Sequence, residues 1–190
     1  MRSKIVIVGN GTSILDQEYG QIIDEYETVV RFNNYGTRGF EKYAGLKTDI
    51  WFNVVNFLDK KNEWRMREPY EKIYIHSWEW DERKDKLFLD FKDFYKDKAK
   101  NFIEKTKPEI IKEIQEFAGD RSYSGLSTGL IAVWIMLKKY PSVDIIGFDW
   151  WNTDKHHYND NAIRGTLHQP LKEKNIFNKL MGKQSVFLVN

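Results

Sequence analysis

The sequence predicts an α/β/α sandwich around a mostly parallel central sheet, and three patterns support this fold class. Near the N-terminus, Ile5–Val8 is a continuous β-branched run closed by Gly9, which is typical of a strand buried on both faces and followed by a tight turn. Residues 125–140 are apolar on nearly every side, which predicts a buried helix. A second core strand, VDII, follows at once. With 190 residues and no linker or repeat, the chain is predicted to form a single domain over residues 1–190.

The other elements follow from local patterns along the chain. After the first strand, Ile14, Leu15, Ile22 and Ile23 recur at helical spacing, with Ser13 as a plausible N-cap. Further strands are predicted at residues 28–32, 49–55, 72–76 and 185–189, and further helices at residues 108–119 and 170–181. The rest of the polar stretch from residue 56 to residue 120 has no pattern that favours a particular element.

Composition excludes several classes of function. Thirty basic residues face 28 acidic ones, a net charge of +2, so no nucleic acid partner is predicted. The chain has no cysteine, which rules out disulfides, thiolate metal ligands and a cysteine nucleophile, and which fits a cytoplasmic location. The apolar run at the N-terminus is too short for a signal peptide or a spanning helix. No integral membrane segment is therefore predicted.

The turn after the first strand, residues 9–13 (GNGTS), is a candidate site for a phosphate or nucleotide. It offers flexible glycines, backbone N–H groups and the start of a predicted helix. A plain strand-to-helix connection is the alternative. A dinucleotide fingerprint would need a third glycine where Ile14 stands, and the second strand contains Arg31 where an NAD enzyme carries an acid. An NADP-linked oxidoreductase thus remains open at this point.

Two histidines, His157 and His168, lie in a polar segment close to the end of a core strand. Histidine in such a position suits proton transfer near neutral pH. The alternative for His157 and its neighbour His156 is an exposed loop, and His76 at a strand end is interpreted as structural. Zinc binding by these histidines with Asp154 is not favoured, because no His-Glu-x-x-His pair is present, and no metal is predicted.

Four segments, in order, resemble the four sialylmotifs of glycosyltransferase family 29, the sialyltransferases. The long motif resembles residues 7–52, the short motif residues 123–149, the third motif the His-His-Tyr of residues 156–158, and the very short motif residues 168–173. The resemblance covers nearly the whole chain. The sequence departs from the animal members in lacking the two cysteines that link the long and short motifs.

The resemblance implies a Rossmann-like, GT-A-variant fold and an inverting transfer that needs no metal or other cofactor. The donor would be CMP-sialic acid or a related CMP-keto-sugar acid such as CMP-Kdo, and the acceptor a glycan or glycolipid hydroxyl. The resemblance also implies that His168 is the general base and that His157, with Tyr158 beside it, stabilises the departing CMP phosphate.

Donor binding is assigned to residues from the long, short and third motifs, namely Asn10, Gly11, Ser13, Asn33, Ser127, Thr128, Gly129 and Tyr158. Asparagine carries a donor and an acceptor on one short side chain, and a Ser-Thr-Gly at a helix N-terminus suits an anion. Glu173 is expected either to orient a neighbour or to be a surface carboxylate. Trp150 and Trp151 would line the sugar or acceptor, or simply pack. A nucleotide-binding module without catalysis is the other alternative.

Overall fold

The computed structural model describes residues 3–57, 70–95, 102–150, 155–159 and 168–189. Within them, seven strands form one sheet in the order β5-β4-β3-β2-β1-β6-β7, and each pairing is parallel. The strands are β1 (Ile5–Val8), β2 (Thr28–Phe32), β3 (Ile50–Val54), β4 (Lys72–His76), β5 (Phe102–Lys105), β6 (Val143–Ile146) and β7 (Val186–Leu188). The α/β class and the parallel sheet are confirmed.

In the described part of the chain, six α-helices and two short 3-10 turns connect these strands. The helices are α1 (Gly20–Asp24), α2 (Glu41–Ala44), α3 (Glu82–Tyr95), α4 (Glu109–Ala118), α5 (Thr128–Leu137) and α6 (Pro170–Gly182), and the 3-10 turns are Thr12–Leu15 and Val55–Phe57.

Helices cover both faces of the sheet, as the unbroken apolar strands predicted. Ile5 and Ile7 of β1 belong to a core shared with α4, α5 and α6, whereas Val6 and Val8 point the other way, into a core shared with α1 and α2. On that second face, α3 packs over β4 through Phe88 and Phe91. Burial of β1 on both faces is therefore confirmed, and the fold is a three-layer sandwich.

Most predicted elements lie within a few residues of their expected bounds, but the prediction of the first helix was wrong. Ser13 does not cap an α-helix; Thr12–Leu15 is a 3-10 turn with Gly11 at its N-cap, and α1 begins only at Gly20. The apolar spacing merged two separate pieces that bury Ile14 and Ile23 in the same core. Helix α3 and strand β5 were not predicted. Most side chains of α3 are exposed or half-buried, so its sequence has only a weak helical pattern of apolar residues.

The strand order reverses between β1 and β6, because β1 connects to β2 on one side and pairs with β6 on the other. Parallel α/β sheets bind ligands outside the carboxyl ends of the strands at such a switch point. Here the segments that follow β1 and β6 lie close together, because a Cβ on Gly9 would overlap the Gly147 carbonyl. Gly147 itself has a φ of 73°, in the left-handed region. Only glycine fits both positions.

Candidate active site

Asn10 lies directly after β1 at the switch point and is 5% exposed. Its Nδ2 donates to the carbonyl of Phe32 at 3.1 Å, and its own carbonyl accepts from the N–H of Tyr158 at 3.0 Å. The first bond fixes the amide orientation. The Oδ1 atom is left buried with no hydrogen-bond partner among the described residues. A buried acceptor of this kind favours a ligand that brings an N–H or O–H group.

Asn33 follows β2 and has φ of 50°, a left-handed conformation that asparagine tolerates better than most residues. Its Nδ2 donates to the hydroxyl of Thr128 at 3.1 Å, and its carbonyl accepts from the indole of Trp51 at 3.1 Å. The long and short motifs thus meet through two residues that the sequence had assigned to donor binding. The hydroxyl of Thr128 also lies 2.9 Å from Nε2 of His76.

The start of α5 holds a carboxylate from within the protein. The Ser127 hydroxyl accepts from the N–H of Leu130 at 3.0 Å and donates to Oε1 of Glu173 at 2.6 Å, and the Ser127 N–H donates to Oε2 at 3.1 Å. Glu173 is 2% exposed, so the alternative of a surface carboxylate is wrong. Burial raises the pKa of Glu173 to about 7, against the lowering effect of the two bonds from Ser127.

The turn after β1 is likewise satisfied internally, by Asp149. The hydroxyl of Thr12 donates to Asp149 Oδ2 at 3.0 Å, as does the N–H of Ser13 at 3.4 Å. The N–H of Gly11 donates to the carbonyl of Gly147 at 3.0 Å. These two amides therefore already have a carboxylate and a carbonyl as partners, and donor binding by Gly11 and Ser13 stays a prediction. A role for Asp149 was not predicted, although its position just after β6 was a signal.

His168 is oriented by the backbone before α5. Its Nδ1 lies 2.8 Å from the carbonyl of Gly125. A carbonyl can only accept, so Nδ1 carries the hydrogen, and in the neutral ring Nε2 is then the basic nitrogen. Such a tautomer is what a general base requires. Gln169 adds a bond from its Nε2 to the carbonyl of Ser124 at 3.3 Å.

The three C-terminal histidines lie near one another. The rings of His156 and His157 stack with centroids 4.0 Å apart, and the His156 and His168 centroids are 6.2 Å apart. The structure thus brings the two predicted catalytic histidines into one neighbourhood. Within the described ranges, no three His, Asp or Glu side chains converge in a way that could hold a metal ion. Asp154, considered as a ligand, lies outside the described residues.

Tyr158 fastens the His-His-Tyr segment to the loop after β2. Its hydroxyl donates to the carbonyl of Gly36 and accepts from the Gly36 N–H at 3.2 Å, and its ring meets Phe40 edge-on at 5.0 Å. Beside it, the Nδ2 of Asn159 donates to the carbonyl of Asn34 at 2.8 Å. Because its hydroxyl is used in this way, Tyr158 orients the segment that carries His157.

A cleft of about 210 Å³ lies beside the Asp149 turn, lined in part by Ser13, Phe148 and Trp150. Trp150 also packs edge-on against Phe177 at 5.7 Å. The packing expected of Trp150 is therefore observed, and its contact with the sugar or acceptor stays a prediction. Trp151 lies outside the described residues.

Arg31 does not support the NADP interpretation. It is 0% exposed, and its guanidinium donates to the carbonyls of Lys47 at 3.1 Å and Ala44 at 2.5 Å and to the hydroxyl of Thr48 at 3.0 Å. A ligand phosphate cannot reach it. Arg31 instead joins β2 to the segment that precedes β3.

Comparison with known proteins agrees with this architecture. Residues 3–185 match the family "Glycosyltransferase family 29 (sialyltransferase)". The chain belongs to glycosyltransferase family 29. Two mammalian sialyltransferase crystal structures share the fold, with TM-scores of 0.75 and 0.73 at 20% and 21% identity; the matches cover 99% and 97% of this chain and 69% and 68% of theirs.

The names of curated relatives of this chain differ in the sugar that is transferred. The β-1,6-galactosyltransferase GALT29A of Arabidopsis thaliana is 29% identical over 182 residues, covering 82% of this chain and 44% of that protein. The human CMP-N-acetylneuraminate-β-1,4-galactoside α-2,3-sialyltransferase is 43% identical over 47 residues, covering 25% of this chain and 12% of that enzyme. The chain thus spans less than half the length of these relatives. No described helix of this family 29 chain is long and apolar enough to cross a membrane.

Proposed function

We propose that this family 29 glycosyltransferase moves sialic acid, or a related keto-sugar acid such as Kdo, from its CMP-activated form to a hydroxyl of a glycan or glycolipid. The observation that carries the proposal is the orientation of His168. Its Nδ1 donates to Gly125 two residues before the cap of α5, so its basic Nε2 lies beside the short-motif helix.

The proposed reaction follows from this arrangement. As the acceptor oxygen bonds to the anomeric carbon of the donor, its proton passes to Nε2 of His168, and the bond from that carbon to the phosphate oxygen breaks with its electron pair. The charge gained by the departing CMP would be met by His157. Attack opposite the leaving group inverts the anomeric centre. Mutagenesis of positioned acid–base groups typically shows effects of about 10²- to 10⁴-fold on rate.

Donor binding is supported by the polar groups at the strand ends. The buried Oδ1 of Asn10 can accept from a ribose hydroxyl or a base amino group, and the amide of Asn33 lies beside Thr128 at the start of α5. Gly11, Ser13, Ser127 and Gly129 stay predicted contacts. The metal-free reaction and the cytoplasmic location also stay predictions.

Galactosyl transfer is a second candidate, because GALT29A, which matches over 82% of this chain, is a galactosyltransferase by name. The two candidates differ first in the nucleotide bound. We would measure thermal unfolding of the protein with CMP, CDP, UDP, GDP, NAD and NADP, since a ligand that binds the folded state raises its stability. Stabilisation by CMP alone supports the CMP-sugar donor, and transfer from CMP-sialic acid and CMP-Kdo is then compared. Stabilisation by UDP and not by CMP would overturn the proposed CMP-sugar donor and indicate a UDP-sugar donor instead.

A further inference from the structure

His76 ends β4 and is 0% exposed. It pairs in register with Val54 of β3 and points to the face of the sheet that carries α5. The ring of Trp78 meets it edge-on at 5.4 Å, and the indole N–H of Trp78 donates to the carbonyl of Leu126 at 3.0 Å. The end of β4 thus contacts the chain just before α5 and the first residue of that helix.

A hydrogen-bonded chain runs from His76 to the donor side. Nε2 of His76 lies 2.9 Å from the Thr128 hydroxyl, and that same oxygen accepts from Nδ2 of Asn33 at 3.1 Å. The hydroxyl therefore bridges the ring and the amide, whichever tautomer the ring adopts. Because His76 holds the Thr128 hydroxyl in place, the Asn33 side chain has one preferred orientation of its amide group.

The ring remains neutral across the working range of an enzyme, because burial lowers the pKa of His76 to about 3. A neutral imidazole can donate or accept at Nε2, which suits a bridge to a hydroxyl. Its Nδ1 is buried with no hydrogen-bond partner among the described residues. Burying a nitrogen without a hydrogen-bond partner costs free energy of desolvation, which an apolar side chain would avoid. Packing alone therefore does not explain a histidine at this position.

We propose that His76 is a positioning residue of the donor site, acting through the Thr128 hydroxyl to hold the Asn33 side-chain amide in its binding orientation. This inference rests on the proposed function only in naming the nucleotide as the ligand of Asn33. His76 itself lies in β4, outside the segments that resemble the family motifs.

The test compares two substitutions at His76 and two at Thr128. His76→Leu removes the polar contact, whereas His76→Gln can place an amide near the position of Nε2. Thr128→Val removes the hydroxyl at nearly constant volume, and Thr128→Ser retains it. We expect His76→Leu and Thr128→Val each to raise the Kd for CMP and the donor KM about tenfold, since one buried hydrogen bond is worth roughly that factor. The kcat should change far less, and His76→Gln should stay within about threefold of wild type. Thr128 is itself a predicted donor contact, so Thr128→Ser is expected only to lose less CMP affinity than Thr128→Val, because it keeps the hydroxyl.

The double variant decides between positioning and simple destabilisation. If His76 acts through Thr128, adding His76→Leu to Thr128→Val raises the Kd no further, because the path is already cut. Additive effects, or a folded His76→Leu that binds CMP like wild type, overturn the inference. If His76→Leu does not fold, the CMP affinities of Thr128→Val and Thr128→Ser are compared instead, which tests the same bridge without changing β4. Equal affinities in these two variants would overturn the inference.

A second readout is independent of the nucleotide. The side-chain NH₂ signal of Asn33 in a ¹⁵N spectrum, assigned with Asn33→Asp, should shift and lose protection from exchange in His76→Leu and Thr128→Val but not in His76→Gln. An unchanged signal overturns the inference. Failure of wild type to bind CMP, with the signal shifting as expected, would instead count against the proposed donor and leave His76 as the group that orients Asn33.

Discussion

The carboxylate of Glu173 accepts both the hydroxyl and the backbone N–H of Ser127, at 2.6 and 3.1 Å. Helix α6, which carries Glu173, is thereby joined to the first turn of α5. Five residues earlier, His168 contacts Gly125 of the same segment at 2.8 Å. Two contacts between the same pair of segments restrain translation and rotation together. The proposed base and the start of the proposed donor-binding helix are therefore held as one unit.

Glu173 should make stability depend on pH in an unusual direction. Burial raises its pKa from 4.5 to about 7, so the folded state binds the proton more tightly than the unfolded state. The free energy of unfolding should then fall as pH rises from the unfolded pKa through the folded one, by up to about 3 kcal/mol for this group. Urea titrations of wild type and Glu173→Gln across that range measure the difference.

Glu173→Gln cannot ionise, so its stability should lack this decline. The comparison is made on slopes against pH, because the substitution also alters the two bonds with Ser127. A wild-type curve that rises relative to Glu173→Gln over the same range would show that the carboxylate is stabilised in its charged form, and would contradict the raised pKa.

His168→Asn separates the base from its orienting bond. The Asn side chain can still donate to Gly125 in place of Nδ1 but has no basic nitrogen at the position of Nε2. We expect turnover to fall by about 10²-fold or more, with CMP affinity and melting temperature close to wild type. Steady-state transfer rates and nucleotide titration measure this. Near-normal turnover in His168→Asn would remove His168 from the mechanism.

Tyr158→Phe tests the attachment of the His157 segment. The change removes the hydroxyl that both donates to and accepts from Gly36 while keeping the ring against Phe40. Two lost hydrogen bonds, each worth about 1 kcal/mol, should loosen the segment and lower kcat. Tyr43→Phe is a suitable control, because it removes a tyrosine hydroxyl from α2 and keeps both bonds between Tyr158 and Gly36. Equal losses in both variants would argue against a specific role for the Tyr158 hydroxyl.

Gly9→Ala tests the close approach at the switch point. The added Cβ would overlap the Gly147 carbonyl, which is backbone and cannot move aside as the end of a flexible side chain could. We expect a loss of stability of about 2 kcal/mol or more. Gly182→Ala is the matched control. No atom of the described residues lies within 4 Å of its Cβ position, and alanine in a helix is favoured by up to about 1 kcal/mol. Thermal unfolding of the two variants should move in opposite directions.

Six of the seven described strands and the helices α4, α5 and α6 were predictable because their causes are local. A β-branched run such as Ile5–Val8 needs burial on both faces wherever it lies in the chain. The helix from Glu109 to Ala118 was visible from Pro108 and Gly119 at its ends, and Gly119 adopts the left-handed conformation of a C-cap with φ of 76°. The prediction of the first helix was wrong because it also relied on local spacing. Ile14 and Ile23 enter one core from two separate elements, which the spacing of apolar residues cannot distinguish from a single helix.

The apolar runs predicted the α/β class without coordinates, and the order of the motifs along the chain indicated the family and the residues to compare. Tertiary structure alone decided which of those residues meet and which charges are buried. Asp149 reaches Thr12 across 137 positions, His76 reaches Thr128 across 52, and Glu173 reaches Ser127 across 46. Periodicity and spacing report on neighbours within a few turns or strands, whereas these hydrogen bonds exist because parallel strands bring their carboxyl ends to one edge, where distant segments share a desolvated space.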